Sequence, residues 1–167
     1  MNELQELLLK ATLIGTGATL AMDAWALLLK RLFGIPPLDY SLVGRWLGHM
    51  PKGTWAHPHI ARAAPVAGER LLGWGAHYGI GIAFAALLLG LWGPGWADDP
   101  SLAPALLVGI GTLAAPFLLM QPCLGFGIAA AKAPNPSRAR LLSLAAHSAF
   151  GLGLYLSALA WRALLAA

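Results

Sequence analysis

Apolar residues in this chain neither alternate with polar ones nor fall into narrow stripes; they continue almost unbroken for a membrane's width at a time. Four such runs stand near Ala11–Leu29, Leu71–Leu91, Leu102–Ala131 and Leu141–Trp161. A helix rises about 1.5 Å per residue, so about 20 residues cross the roughly 30 Å of a hydrocarbon core. A closed barrel would need short strands of alternating polarity, and these runs are continuous and rich in Ala, Leu and Gly. The pattern predicts an all-α integral membrane protein, one four-helix domain over residues 1–167.

The polar positions inside the runs are few and placed by helical period. Thr12, Gly15 or Thr16, Thr19 and Asp23 share one face of the first span. Asp23 lies seven residues before Lys30, which closes that span, and so roughly 10 Å below the membrane edge. A carboxylate at that depth costs several kcal/mol unless it meets the bundle interior, a partner or water. In the third span, Pro116 and Pro122 remove the bonds to the carbonyls of Thr112 and Leu118, which predicts a kink. Met120, Gln121, Cys123, Gly125 and Gly127 give that span a polar, deformable middle. Gly15-Thr16-Gly17 and Gly109-Ile110-Gly111 are not phosphate loops, since no strand precedes them; they allow close helix packing.

A phrase also recurs. Arg70-Leu71-Leu72 leads to Ala76-His77 and Gly81, and Arg140-Leu141-Leu142 leads to Ala146-His147 and Gly151. Such an internal repeat predicts two hairpins related in parallel about an axis along the membrane normal. Each His stands seven residues from its Arg. Asp23, His77 and His147 are therefore expected at one depth, with Gln121 somewhat deeper and Met22 and Met120 beside them.

The connections add detail. In the first, residues 31–69, Gly34-Ile35-Pro36-Pro37 stops the helix, and Asp39 and Ser41 can cap a short one with an apolar stripe of Leu42, Val43, Trp46 and Leu47. Met50-Pro51-Lys52-Gly53 ends it. This connection is expected to form a cytoplasmic cap, with Arg45, Trp46 and His49 as its candidate functional residues. His57 and His59, like His49, are read as solvated or capping histidines in preference to a metal site, because no Cys or third fixed ligand stands near them in sequence. Trp92-Gly93-Pro94-Gly95-Trp96 reads as an external turn with both tryptophans at the interface.

Composition agrees with a bilayer: 58% hydrophobic residues, 11% charged residues and a mean hydropathy of +0.67 exclude an ordinary soluble domain. The charges then set orientation. Lys30, Arg31, Arg45, Lys52, Arg62 and Arg70 lie in the first connection and Lys132, Arg138 and Arg140 in the third, leaving only Lys10 and Arg162 for the other side. This places the first and third connections in the cytoplasm and both termini outside. The net charge of +4 follows from that topology; it predicts anionic lipid head groups as partners and no nucleic acid. Glu3 and Glu6 precede the first cation, Lys10, unlike a secretory leader, so no cleaved signal is expected. The single Cys123 excludes an intramolecular disulfide.

Several readings of the polar layer stand open. Asp23 and the histidines can fix helix packing by hydrogen bonds. Binding or translocation of a small solute or protons would use Asp23 as charge carrier, His77 and His147 as relay or ligand groups, and Gln121 for orientation. A bis-His haem held by His77 and His147, or a metal held with Asp23, Met22 or Met120, is a redox alternative. An accessory subunit would dock its partner through Arg45 and Trp46. No nucleophile marks an enzyme. A four-helix unit can also pair with a second copy to enclose a pathway.

Gly34-Ile35-Pro36-Pro37-Leu38-Asp39-Tyr40, Val43-Gly44-Arg45-Trp46-Leu47-Gly48-His49-Met50, Gly68-Glu69-Arg70, Ala76-His77-Tyr78 and Pro116-Phe117-Leu118-Leu119-Met120-Gln121-Pro122, with His147, cover most of the chain. In these residues it resembles the small bacterial inner-membrane proteins of domain of unknown function 2938. The resemblance implies a bacterial cytoplasmic membrane and supplies no reaction, cofactor or site residue.

Overall fold

A computed structural model describes residues 2–165, with the side chain of residue 165 left aside. Among the described residues there are helices and turns and no strand. Helix α1 (Glu3–Phe33) starts in a reciprocal cap: the Asn2 side chain accepts from the Gln5 N–H, and the Gln5 side chain accepts from the Asn2 N–H. It stops at Gly34, whose left-handed φ of 65° turns its N–H back to the carbonyls of Leu29 and Lys30. Helix α2 (Tyr40–His49) is capped by Asp39, which accepts from the Ser41 N–H at 2.9 Å. Helix α3 (Glu69–Trp92) follows Gly68 at φ 76°. After α4 (Leu102–Gly111) come a π-helical turn, Pro116–Met120, and the short α5 (Gln121–Cys123). Helix α6 (Pro136–Leu165) begins on a proline, and the Asn135 side chain accepts from the Arg138 N–H. Four stretches are long and apolar enough to cross a membrane: Glu3–Phe33, Glu69–Trp92, Leu102–Cys123 and Pro136–Leu164.

The third span departs from the expected Leu102–Ala131. It ends at Cys123, because Gly125 (φ 92°) and Gly127 (φ 73°) leave the helical region and Ala129 (φ 47°) and Ala130 (φ 56°) follow in the left-handed one. The residues past Cys123 are apolar, so hydropathy alone extends the span through a backbone turn. Backbone bonds from Phe126 to Gln121 and from Lys132 to Phe126, both 2.8 Å, close that turn. The interior break falls where Pro116 removes the donor for Thr112: the helix stops at Gly111, and the Gln121 N–H then reaches the Pro116 carbonyl five residues back.

The chain divides into two compact units. The first is built from the N-terminal stretch through Pro37, Tyr78–Thr112 and the stretch from Ala145. Its core includes Ile14, Ala18, Leu88, Leu89, Val108, Phe150 and Leu154. Small residues let helices meet at backbone distance: a Cβ on Gly15 would stand 2.5 Å from the Ile82 Cα, and one on Gly109 would collide with Gly151. Gly111 faces open space, so only Gly109 of its motif serves packing. Lys10, assigned by charge to the outer side, is only 2% exposed; its Nζ lies 2.7 Å from Glu6 and 2.8 Å from Asp98. Arg162 pairs with Asp99 at 3.1 Å. Trp96 is buried in this core instead of standing at an interface, whereas Trp92 is exposed.

The second unit is built from Leu38–His77 and Leu113–Leu144. Val43, Trp46, Ile60 and Leu124 form its core, with Met50, Met120, Cys123 and Phe126 packed around them. Here α2 rests against the start of α3 through two glycines. A Cβ on Gly44 would fall on the Glu69 carbonyl, and one on Gly73 on the Tyr40 carbonyl.

Candidate functional site

In the first unit, α1 presents Asp23 and α3 presents Tyr78, and the phenol hydroxyl donates to the Asp23 carboxylate at 2.9 Å. Both side chains are half-buried. The bond satisfies a carboxylate that an apolar helix would otherwise leave exposed to hydrocarbon, and a hydrogen bond to a charged group stabilises by about 1.5–3 kcal/mol. Tyr78 is absent from the sequence-based set. The available signal was chemical: a carboxylate in a span needs a donor, and Tyr78 is an O–H donor one residue from His77.

His147 on α6 directs Nδ1 to the Gly109 carbonyl at 3.1 Å and to the Thr112 hydroxyl at 3.2 Å. The Thr112 hydroxyl itself donates to the Gly109 carbonyl at 2.7 Å. A carbonyl only accepts, so this geometry assigns the ring proton of neutral His147 to Nδ1 and leaves Nε2 as the basic nitrogen. Gly109 thus does two things: it admits Gly151 closely and offers the carbonyl that orients the imidazole.

His77 falls in the second unit, where its ring stacks on Tyr40 with centroids 4.0 Å apart and 23° between planes. Trp74 meets its edge at 5.8 Å and also approaches Tyr40 at 4.9 Å. Tyr40 is the first residue of α2, and the absence of a side chain at Gly73 is what lets the Tyr40 backbone come in. Gln121, at the end of the π turn, has its side-chain oxygen buried without a hydrogen-bond partner. Of the residues expected at one depth, Asp23, Met22 and His147 belong to the first unit and His77, Gln121 and Met120 to the second. Among the described residues, no three His, Cys, Asp or Glu side chains gather where they could hold one metal ion.

The residues expected in the cap are engaged within the second unit. Arg45 forks onto Glu69 at 2.7 and 2.9 Å and also donates to the carbonyls of Ile60, Ala61 and Ala63. Glu69 in turn accepts from the Val66 N–H at 2.9 Å. The Trp46 indole donates to the Trp55 carbonyl at 2.7 Å, and Trp46 is buried. His49 Nδ1 meets His57 Nε2 at 2.7 Å. Of the solvated or capping roles expected of it, His57 does not take the solvated one: it is buried, because its segment lies along the end of the third span, and its N–H donates to the Cys123 carbonyl at 2.8 Å. His59 is exposed.

A fold with no strand among the described residues, four helices able to cross a bilayer, and Asp23, His77 and His147 within three of them, is a multi-pass membrane protein by class. Residues 12–161 match the family described as "Protein of unknown function (DUF2938)", and the chain belongs to that family. Neither the curated proteins nor the solved structures gave a match.

Proposed function

We propose that this protein binds or translocates protons or a small solute across the bacterial cytoplasmic membrane, with Asp23 as the charge carrier. Tyr78 holds the carboxylate, His77 and His147 serve as relay or ligand groups, and Gln121 orients. In this reading the chain is a single four-span domain of two parallel-related hairpins. Both termini lie outside, and the first connection forms a cytoplasmic cap. The nine-to-two distribution of Lys and Arg supports the orientation. Ion pairs Lys10–Asp98 and Arg162–Asp99 also join the three stretches assigned to the outer side.

The observation that carries the proposal is the 2.9 Å bond between Asp23 and Tyr78 within otherwise apolar helices. A carboxylate there is expensive as mere packing, since an amide or hydroxyl would bond the same phenol without a charge. Reconstitution into liposomes under an imposed pH gradient tests it. Asp23→Asn retains an acceptor for Tyr78 and removes the charge, so the variant should fold and lose flux. Flux equal to that of the unaltered protein would overturn the proposal.

A further inference from the structure

The pair His49–His57 lies apart from the Asp23 reading and does not depend on it. His49 ends α2, and His57 sits in the segment Trp55–Ile60, which crosses the end of the third span like a strap. Three fastenings hold the strap there. The N–H groups of His57 and Ile60 donate to the carbonyls of Cys123 and Leu124 at 2.8 and 3.2 Å. Gly125, at φ 92°, has no side chain where the Pro58 carbonyl lies. The Trp55 carbonyl accepts from Trp46. The fourth fastening is the 2.7 Å contact between the two imidazoles, and it alone depends on protonation.

At most one of two ring nitrogens in contact can carry a proton if a hydrogen bond is to form. His57 Nδ1 is buried with no partner. A bare nitrogen there costs less than an orphaned N–H, so His57 donates from Nε2 and His49 Nδ1 accepts. One added proton reverses the shared bond and moves the remaining His57 proton to the orphaned Nδ1. A second makes both rings donors, and no bond between them survives. We propose that His49 and His57 form a proton-operated latch that fastens the strap Trp55–Ile60 over the end of the third span when neutral and releases it when both rings are protonated.

The surrounding charges leave this logic intact. Glu69, facing His49, is neutralised by its fork with Arg45. Cys123 offers the strap a carbonyl, and Lys52 and His59 are exposed. Burial, and secondarily the His49 ring, hold His57 below its ordinary value of 6.5. The unfastened state therefore binds more protons, and the latch is complete above about pH 6.5 and weakens as pH falls through the folded value.

Amide hydrogen exchange of the full chain in lipid nanodiscs, corrected for intrinsic rates, reads the latch directly. Peptides covering residues 54–60 should lose protection by up to about tenfold per pH unit and proton below about pH 6.5, while α6 peptides do not. His57→Gln, whose amide can still donate to His49, should flatten that dependence. If His57→Gln loses the strap at every pH, His49→Gln takes its place; its amide oxygen accepts from His57 Nε2 whether His57 is neutral or protonated, so it should make the slope shallower. Flat protection in the unaltered chain, or an unchanged slope in the variant that keeps the strap, would overturn the latch. Strong added protection from zinc chloride at neutral pH, lost in either variant, would also overturn it by making the pair a metal site.

Discussion

Replacing Gly73 by alanine should undock α2 from α3 while leaving the spans intact. The added methyl carbon would lie 2.6 Å from the Tyr40 carbonyl carbon and closer still to its oxygen, against an ordinary contact of 3.4 Å or more. These are backbone atoms, so α2 itself must retreat, by at least about 0.8 Å on the carbon distance alone. A shift of that size stretches the Arg45–Glu69 bonds from 2.7 and 2.9 Å past hydrogen-bonding range and opens the Tyr40–His77 stack. Overpacking of this kind typically costs about 1–3 kcal/mol. Loss of a largely buried charge-assisted fork raises the total to about 2–4 kcal/mol, since both ions regain some water once released. That corresponds to roughly 30- to 700-fold faster exchange of α2 amides that open with undocking. Gly75→Ala is the matched control: it lies on the same helix with nothing within 4 Å of the added carbon, and it should leave α2 exchange unchanged. Equal α2 exchange in Gly73→Ala and Gly75→Ala would refute the packing argument.

Two further outcomes follow from the first unit and from the histidines. Lys10→Met keeps the buried stem but loses both ion pairs; because Glu6 and Asp98 are about half exposed and rehydrate, the loss should be about 1–2 kcal/mol, seen as a thermal midpoint lower by a few °C in detergent. An unchanged midpoint would show the cluster to be energetically idle. Visible spectra of the purified protein, oxidised and reduced, should show no Soret band; a band that shifts on reduction and disappears in both His77→Ala and His147→Ala would assign those residues to a bis-His haem instead.

Much of this fold was legible because the bilayer enforces it. Continuous apolar runs located the four helices able to cross a bilayer, and Gly34 and Asp39 marked real helix boundaries. The misplaced end of the third span shows the limit: Leu124–Ala131 is apolar by composition, yet its left-handed residues turn the backbone, and hydropathy does not register φ. Lys10 and Trp96 show a second limit, since a charge or indole near a span end looks interfacial whether or not a partner buries it. For the site, depth arithmetic singled out Asp23 and both histidines as ionisable groups within spans. It did not supply azimuth, the property that sets Asp23 against Tyr78, His77 against Tyr40 and His147 against Gly109. The burial of His57 was missed for a related reason. His57 is buried by a strap whose path depends on Gly125, far away in sequence.

The central claim is that Asp23 changes charge inside the membrane, and infrared difference spectroscopy of the protein in lipid as pH is stepped observes that charge directly. The account predicts a carboxylic-acid C=O band that grows as the carboxylate bands fall, is missing in Asp23→Asn, and shifts in frequency in Tyr78→Phe because the phenol no longer donates to it. A spectrum in which every titrating carboxyl band survives in Asp23→Asn would contradict the claim and leave Asp23 as a fixed packing group.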